Sequence, residues 1–227
     1  MNYLSKKGLP SVILLLSIAT YPLMAQQTVV APKKKFPVEL RAGFTSASFD
    51  TPYNDENTPS PSKAGFYIGA IVECPLSKTF YFQPGLVLIS KGGKLDADYE
   101  NDRAITINGV YLQAPLYFAV KLPLRRYDNS INFNFGPYLA YAVAGKTTYK
   151  PSGSNTSLSF DTFGDEGPLN RLDAGLGLEF QFELKHKIVF TLGSEMGMTR
   201  SMKKEWISGT NDLVANSTNY LSIGYKF

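Results

Sequence analysis

Cysteine, histidine and tryptophan each occur once in this 227-residue chain. A lone Cys74 excludes a disulfide framework and any multi-cysteine zinc site, and a lone His186 removes most chemistry built on several imidazoles. Charged residues are sparse at 19% and nearly balanced, with a formal net charge of +4. The only basic run is Lys33-Lys34-Lys35, a solvated tail, so the footprint of a nucleic-acid binder is missing. Beyond residue 37 no apolar run approaches the roughly 18 residues of a transmembrane helix. What is plentiful is Phe (15), Tyr (14), Gly (19) and Pro (14), which favours one domain of strands separated by frequent turns.

The N-terminus reads as an export signal. Lys6 and Lys7 precede an apolar stretch from Val12 to Ala19, and Leu23-Met24-Ala25 stands before Gln26-Gln27 as a cleavage site. Pro10 and Pro22 bracket a segment shorter than the roughly 20 residues that a span requires. No cysteine follows it, which excludes a lipoprotein. The expected organisation is a signal peptide over 1–25, a short periplasmic tail over 26–37 and a barrel domain over 38–227. Loss of Lys6 and Lys7 leaves 21 basic against 19 acidic residues, a mature charge of +2.

From residue 38 onwards period two recurs. Leu221, Ile223, Tyr225 and Phe227 alternate with Tyr220, Ser222, Gly224 and Lys226, which places the two sets on opposite faces of a strand. Leu172, Leu176, Leu178, Phe180 and Phe182 alternate with Asp173, Gly175, Gly177, Glu179 and Gln181. Two further runs, 110–122 and 131–143, behave the same way, and weaker ones cover 38–44, 64–73, 80–91 and 188–198. The count is eight strands, most near the roughly 9 to 11 residues of a tilted membrane strand.

The connections alternate too. Segments 74–78, 123–129 and 185–187 are short, whereas 45–63, 92–109, 144–169 and 199–217 are long and rich in Gly, Pro, Asn, Asp, Ser and Thr. Short periplasmic turns opposite long external loops are the mark of an up-and-down membrane barrel. Within the second long connection, 94–99 and 104–108 alternate again, which predicts a hairpin continuing beyond the membrane. The predicted fold is therefore all-β: an eight-stranded, up-and-down, antiparallel transmembrane β-barrel, monomeric, in the outer membrane.

Periodicity leaves the facing open, because a soluble lipocalin-like barrel turns its apolar face inward. Glycines on the polar face, among them Gly69, Gly175, Gly177 and Gly193, suit a narrow lumen. Phe80, Phe118, Phe133, Phe180, Tyr225 and Phe227 gather on the apolar face near the short-turn side, as an interfacial girdle would. Both features turn the apolar face to lipid.

Several segments also carry a family likeness. Phe82-Gln83-Pro84-Gly85-Leu86 leads to Ser90-Lys91-Gly92-Gly93. Tyr111-Leu112-Gln113-Ala114-Pro115-Leu116, Phe135-Gly136-Pro137-Tyr138-Leu139, Arg171-Leu172-Asp173-Ala174-Gly175-Leu176-Gly177-Leu178-Glu179 and Ile223-Gly224-Tyr225-Lys226-Phe227 follow in order. The chain from about Val38 to Phe227 resembles the outer-membrane β-barrel domain family of Bacteroidota, Gram-negative proteins often labelled porin-family. The resemblance implies an outer-membrane location and insertion by the barrel-assembly machinery, with Tyr225 and Phe227 in the C-terminal signal. It implies little about activity, since one fold hosts many roles.

An outward apolar face sends Glu39, Glu73, Asp173, Glu179, Glu183 and Glu195 into the lumen with Arg41, Lys91, Lys121, Arg171 and Lys226. Eight strands enclose a space that side chains can fill, so a structural ion-pair network is preferred over a selective channel. Barrel enzymes of the outer membrane generally place a histidine near Ser or Asp to move a proton near neutral pH. His186 instead stands between Lys185 and Lys187 in a short turn. Asp96, Asp98, Glu100 and Asp102 lack the spacing of a calcium loop and read as a solvated hairpin tip. Asp161, Asp165 and Glu166 read as loop chemistry.

The expected function is thus non-enzymatic, without cofactor or metal. The lumen is plugged by side chains, and external loops serve for interaction. Expected partners are outer-membrane lipid, the assembly machinery and a periplasmic or extracellular protein, with no nucleic acid. The alternatives are a small-solute porin, an accessory barrel of a protein-secretion complex and a lipid-modifying enzyme dependent on His186.

Overall fold

The structure, a computed structural model, describes residues 36–50, 61–98, 103–124, 128–150, 156–165, 167–203 and 214–227, without the side chains of residues 50, 96–98, 103 and 104. Residues 1–25, expected to be a signal peptide, most of the expected tail over 26–37, and the acidic side chains from Asp96 to Asp102 lie outside the described residues, as does Glu166.

Ten β elements follow one another: β1 Val38–Asp50, β2 Lys63–Val72, β3 Cys74–Pro75, β4 Phe80–Asp98, β5 Arg103–Leu124, β6 Asn129–Lys150, β7 Leu158–Asp161, β8 Leu172–Leu184, β9 Ile188–Gly197 and β10 Ala215–Lys226. β3 keeps the register of β2 against β4, with Cys74 opposite Phe82 as Ile71 is opposite Gly85, so β2 and β3 form one stave. β7 pairs with the far end of β6. The staves run β2-β1-β10-β9-β8-β6-β5-β4, and β4 pairs with β2, which closes eight antiparallel strands into a barrel. β1 meets β10 from Glu39 opposite Lys226 to Asp50 opposite Ala215. Closure leaves no open sheet edge in hydrocarbon, where an unpaired backbone group costs several kcal/mol.

The alternation in the sequence is an alternation of faces. β9 alternates exposed and buried from Ile188 to Gly197 without a break. Leu178 and Leu221 are 59% and 60% exposed, whereas Glu179 and Gln181 are 4% and 0% exposed, so the apolar face points outward and the lipocalin facing is excluded. On that outer face near the short turns, Phe82 packs tilted against Phe118, and Phe133 meets Phe180 and Tyr225 meets Phe227 edge to face, with ring centroids 5.3, 5.4 and 5.0 Å apart. Inside, glycine makes room for tyrosine. A Cβ on Gly177 would overlap the Tyr117 hydroxyl, and one on Gly193 would overlap the Tyr220 ring.

Strand ends differ from expectation mainly on the long-connection side. β1 continues past residue 44 to Asp50, and β10 begins at Ala215. β6 continues to Lys150 and is joined by β7, inside a stretch rich enough in Thr, Ser and Gly to read as loop. The cause is a register shift: Val110 lies opposite Ala144 but Tyr111 lies opposite Ala142, leaving Val143 as a bulge. A bulge shifts side-chain parity by one, and that hides the continuation of a strand from a period-two reading. The extended hairpin is present, with Lys94 opposite Thr106.

Candidate functional site in the barrel lumen

The inward faces of eight strands converge on polar side chains arranged in layers. Nearest the short turns, Glu73, Lys121, Glu183 and Lys226 stand at the ends of their strands. Lys226 Nζ lies 2.6 Å from Glu73 Oε2 and 2.7 Å from Glu183 Oε2. Lys121 Nζ lies 3.4 Å from Glu73 Oε1 and 2.9 Å from Glu183 Oε2. Two lysines and two carboxylates thus form a square. Below it the β8–β9 turn has two successive left-handed residues, Lys185 (φ 48°) and His186 (φ 57°). This geometry brings His186 Nδ1 to 3.1 Å from Glu183 Oε1.

Arg41 organises the next layer. Its Nε lies 2.6 Å from Glu39 Oε1 and its Nη1 donates to Glu179 Oε1 at 2.8 Å. Glu179 also accepts from the Tyr220 hydroxyl at 2.8 Å, from Asn134 Nδ2 at 2.7 Å and from Gln181 Nε2 at 2.7 Å. Asn134 donates in addition to Gln83 Oε1 at 2.9 Å. A carboxylate held by four donors from four strands keeps its charge satisfied without water.

Lys91 organises the third layer. Nζ lies 3.0 Å from Asp173 Oδ2, 3.1 Å from Glu195 Oε2 and 3.9 Å above the centre of the Tyr138 ring. The Glu195 contact is one of charge, its geometry falling short of a hydrogen bond. Gln113 Nε2 donates to Glu195 Oε1 at 2.7 Å and the Tyr117 hydroxyl to the same oxygen at 3.1 Å. Asp173 accepts from the Tyr138 hydroxyl at 3.2 Å and from Thr199 Oγ1 at 3.1 Å. Across the three layers six carboxylates share four cations, each cation bridging two carboxylates. Such a network is costly to bury yet far costlier to break, because a lost partner strands a charge in a low dielectric.

Toward the long connections the lumen turns apolar. Phe49, Ile89, Ile107, Tyr111, Phe163, Leu169, Met202 and Val214 are buried in one cluster. Phe163 meets Tyr111 edge to face at 5.6 Å. Two connections clamp it: Leu169 bridges Met202, Asn170 N donates to Ser201 O at 2.9 Å and Lys203 N to Pro168 O at 2.8 Å. Lys203 Nζ donates to Gly164 O at 2.8 Å, and Ser201 N to Val214 O at 2.9 Å. Together these segments place an apolar cluster beyond the ionic layers.

Of the lumen residues named from sequence, Glu39, Arg41, Glu73, Lys121, Asp173, Glu179, Glu183, Glu195 and Lys226 are brought together with Lys91. Arg171 is not. It is exposed just before β8, where Nη1 donates to Ala142 O at 3.2 Å and the guanidinium lies 5.6 Å from the Phe163 ring. Strand parity does not extend to this residue, which lies one residue outside β8 beginning at Leu172. The residues missed were the neutral ones: Gln83, Gln113, Asn134, Gln181, Tyr117, Tyr138 and Tyr220. Their signal is position: Gln83, Gln113, Tyr117, Gln181 and Tyr220 share the inward parity of a charged residue on their own strand, and Asn134 and Tyr138 alternate with the outward Phe133, Phe135 and Leu139. Among the described residues no group of three His, Cys, Asp or Glu side chains is arranged to hold a metal ion.

Residues 24–203 match the model of the outer membrane protein beta-barrel domain family. The chain belongs to that family. It is an outer-membrane β-barrel protein, located in the outer membrane. Among solved structures, Ail, the attachment invasion locus protein of Yersinia pestis, is 16% identical, with a TM-score of 0.44 over 85% of this chain and 99% of that one. Neisserial surface protein A is 9% identical, with a TM-score of 0.43 over 84% of this chain and 97% of that one. The N-terminal β-barrel domain of Pseudomonas aeruginosa OprF is 10% identical, with a TM-score of 0.34 over 84% and 97%. No curated protein matches the chain in sequence.

Proposed function

We propose that this outer-membrane barrel is a non-enzymatic scaffold, closed to solutes, whose long external connections carry interaction with a partner. The observation that supports this reading is the filled lumen. Three layers of ion pairs and an apolar plug occupy successive levels, so an ion crossing the barrel would have to break charge contacts and then pass hydrocarbon. A small-solute pore needs a water column. A lipid-modifying enzyme needs a nucleophile beside its base, and His186 stands exposed in the β8–β9 turn with its hydrogen bond to Glu183, a carboxylate already engaged by Lys121 and Lys226. Residues 1–25 serve in this reading as the signal peptide. Tyr225 and Phe227, outward on the last strand, serve as the signal read by the assembly machinery.

Planar-bilayer recording of the purified, folded barrel tests the proposal. The expected result is no large steady conductance, with brief flickers at most. A stable open channel from single barrels would replace the closed scaffold by a porin.

A further inference from the structure

We propose that the short-turn rim and the apolar groove above it form a seat for an anionic phospholipid of the adjoining leaflet, with the phosphate held by turn lysines and an acyl chain laid in the groove. The groove has a volume of about 880 Å³. It rises from Leu76 and Phe80 at the rim, past Phe118 and Phe133, to Leu178 and Leu192 at mid-barrel. All six side chains are exposed on the lipid-facing surface, so the groove is continuous with the membrane belt.

The rim supplies the complementary charge. Lys78 stands between the lining residues Leu76 and Phe80, and Lys185 and Lys187 lie in the β8–β9 turn; all three are exposed. β4 and β8 are three strand steps apart, roughly 15 Å at the usual inter-strand spacing, and the groove spans the strands between them and continues onto β9. Among the described residues of the short turns Asp128 is the one exposed acid, whereas the opposite rim exposes Asp161 and Asp165 beside Lys94, Lys146, Lys150 and Arg171. An exposed lysine near an anionic headgroup contributes attraction that a neutral headgroup does not. With three exposed lysines to one exposed acid among its described residues, the short-turn end favours a phosphate-bearing, net-negative headgroup.

The test is native mass spectrometry of the full folded barrel, released from bilayers of phosphatidylcholine mixed with phosphatidylglycerol of the same acyl chains. The expected result is preferential retention of phosphatidylglycerol, reduced roughly fivefold by Lys78→Gln and more by Lys185→Gln with Lys187→Gln, given the ordinary strength of one lysine beside anionic lipid. Leu192→Trp, which fills the groove, is expected to lower retention of both lipids while heat-modifiable gel mobility stays that of the folded barrel. Lys146→Gln with Lys150→Gln, on the other rim, is expected to leave retention unchanged. Equal retention of the two lipids by the wild-type barrel overturns the proposal, as does an equal loss in the control pair. Headgroup-independent retention combined with poorer assembly of the lysine variants in cells would assign the rim to a protein of the assembly machinery instead.

Discussion

The two ends of the lumen are lined by opposite chemistry. At the short-turn end, Lys121 and Lys226 are interleaved with Glu73 and Glu183. At the long-connection end, Phe163, Leu169 and Met202 pack against Ile89 and Ile107. The ionic end is built from strand residues and held by the barrel's own registers. The apolar end depends on two connections reaching in and hydrogen-bonding to each other. One is rigid because the sheet is closed; the other is as rigid as the clamp from Leu169 to Lys203. On the proposed closed-barrel reading, the lumen has a strong floor and a separable ceiling.

Removing an anion from the floor is expected to have the largest effect. Glu183 is fully buried and accepts from Lys121 and Lys226, so Glu183→Ala leaves two lysines sharing the single carboxylate of Glu73. The expected loss is about 3 to 5 kcal/mol of unfolding free energy, measured by urea titration in lipid vesicles. A loss below about 1 kcal/mol would mean that water reaches the floor and that the ionic end is no seal.

The ceiling is expected to yield more easily. Phe163→Ala removes a buried ring, and phenylalanine truncation in a packed core costs about 3 to 5 kcal/mol. Phe163 comes from a connection that can collapse onto the gap, so the expected cost is about 2 to 3 kcal/mol, below that range. The sharper readout is conductance. Phe163→Ala combined with Met202→Ala should stay silent in a planar bilayer, because the ionic layers remain beneath. Steady current from this double variant would make the ceiling the sole gate.

The floor was legible in the sequence and the ceiling was not, for a physical reason. Glu179, Glu183 and Lys226 sit in uninterrupted alternation, where a period of two fixes the face of every residue. Phe163, Leu169 and Met202 belong to connections, where no period applies and burial follows from tertiary contacts. The bulge at Val143 compounds this by shifting parity where β6 continues to Lys150. Arg171 went astray at the same boundary, one residue before β8. The tyrosines were overlooked because a phenol suits lipid interface and lumen alike, and glycine partners such as Gly177 reveal the difference only once strands are opposed.

Gly177→Ala sharpens that interlock. The new methyl group would overlap the Tyr117 hydroxyl, which donates to Glu195. Overpacking of this kind costs about 1 to 3 kcal/mol. Tyr117→Phe in the same chain should recover part of it by removing the crowded atom. If the two changes simply add, the residues do not meet, since additivity marks independent sites.

The smallest expected effect comes from the residue that joins the two ends. Tyr138 places its ring in the apolar cluster while its hydroxyl donates to Asp173 Oδ2 at 3.2 Å, and Lys91 Nζ sits 3.9 Å above the ring centre. Tyr138→Phe deletes the hydroxyl and keeps the ring, and Asp173 retains Lys91 and Thr199, so the loss should be about 1 kcal/mol. Tyr138→Leu also removes the aromatic face under a buried ammonium, a contact worth roughly 2 kcal/mol when desolvated, and should cost measurably more. Urea midpoints of the two variants separate the contributions. Equal losses would mean that the ring gives Lys91 nothing and that the seam between ionic and apolar ends rests on the hydroxyl. A larger loss in the leucine variant would place Lys91 in both halves of the lumen at once, tied to carboxylates below and to the aromatic plug above.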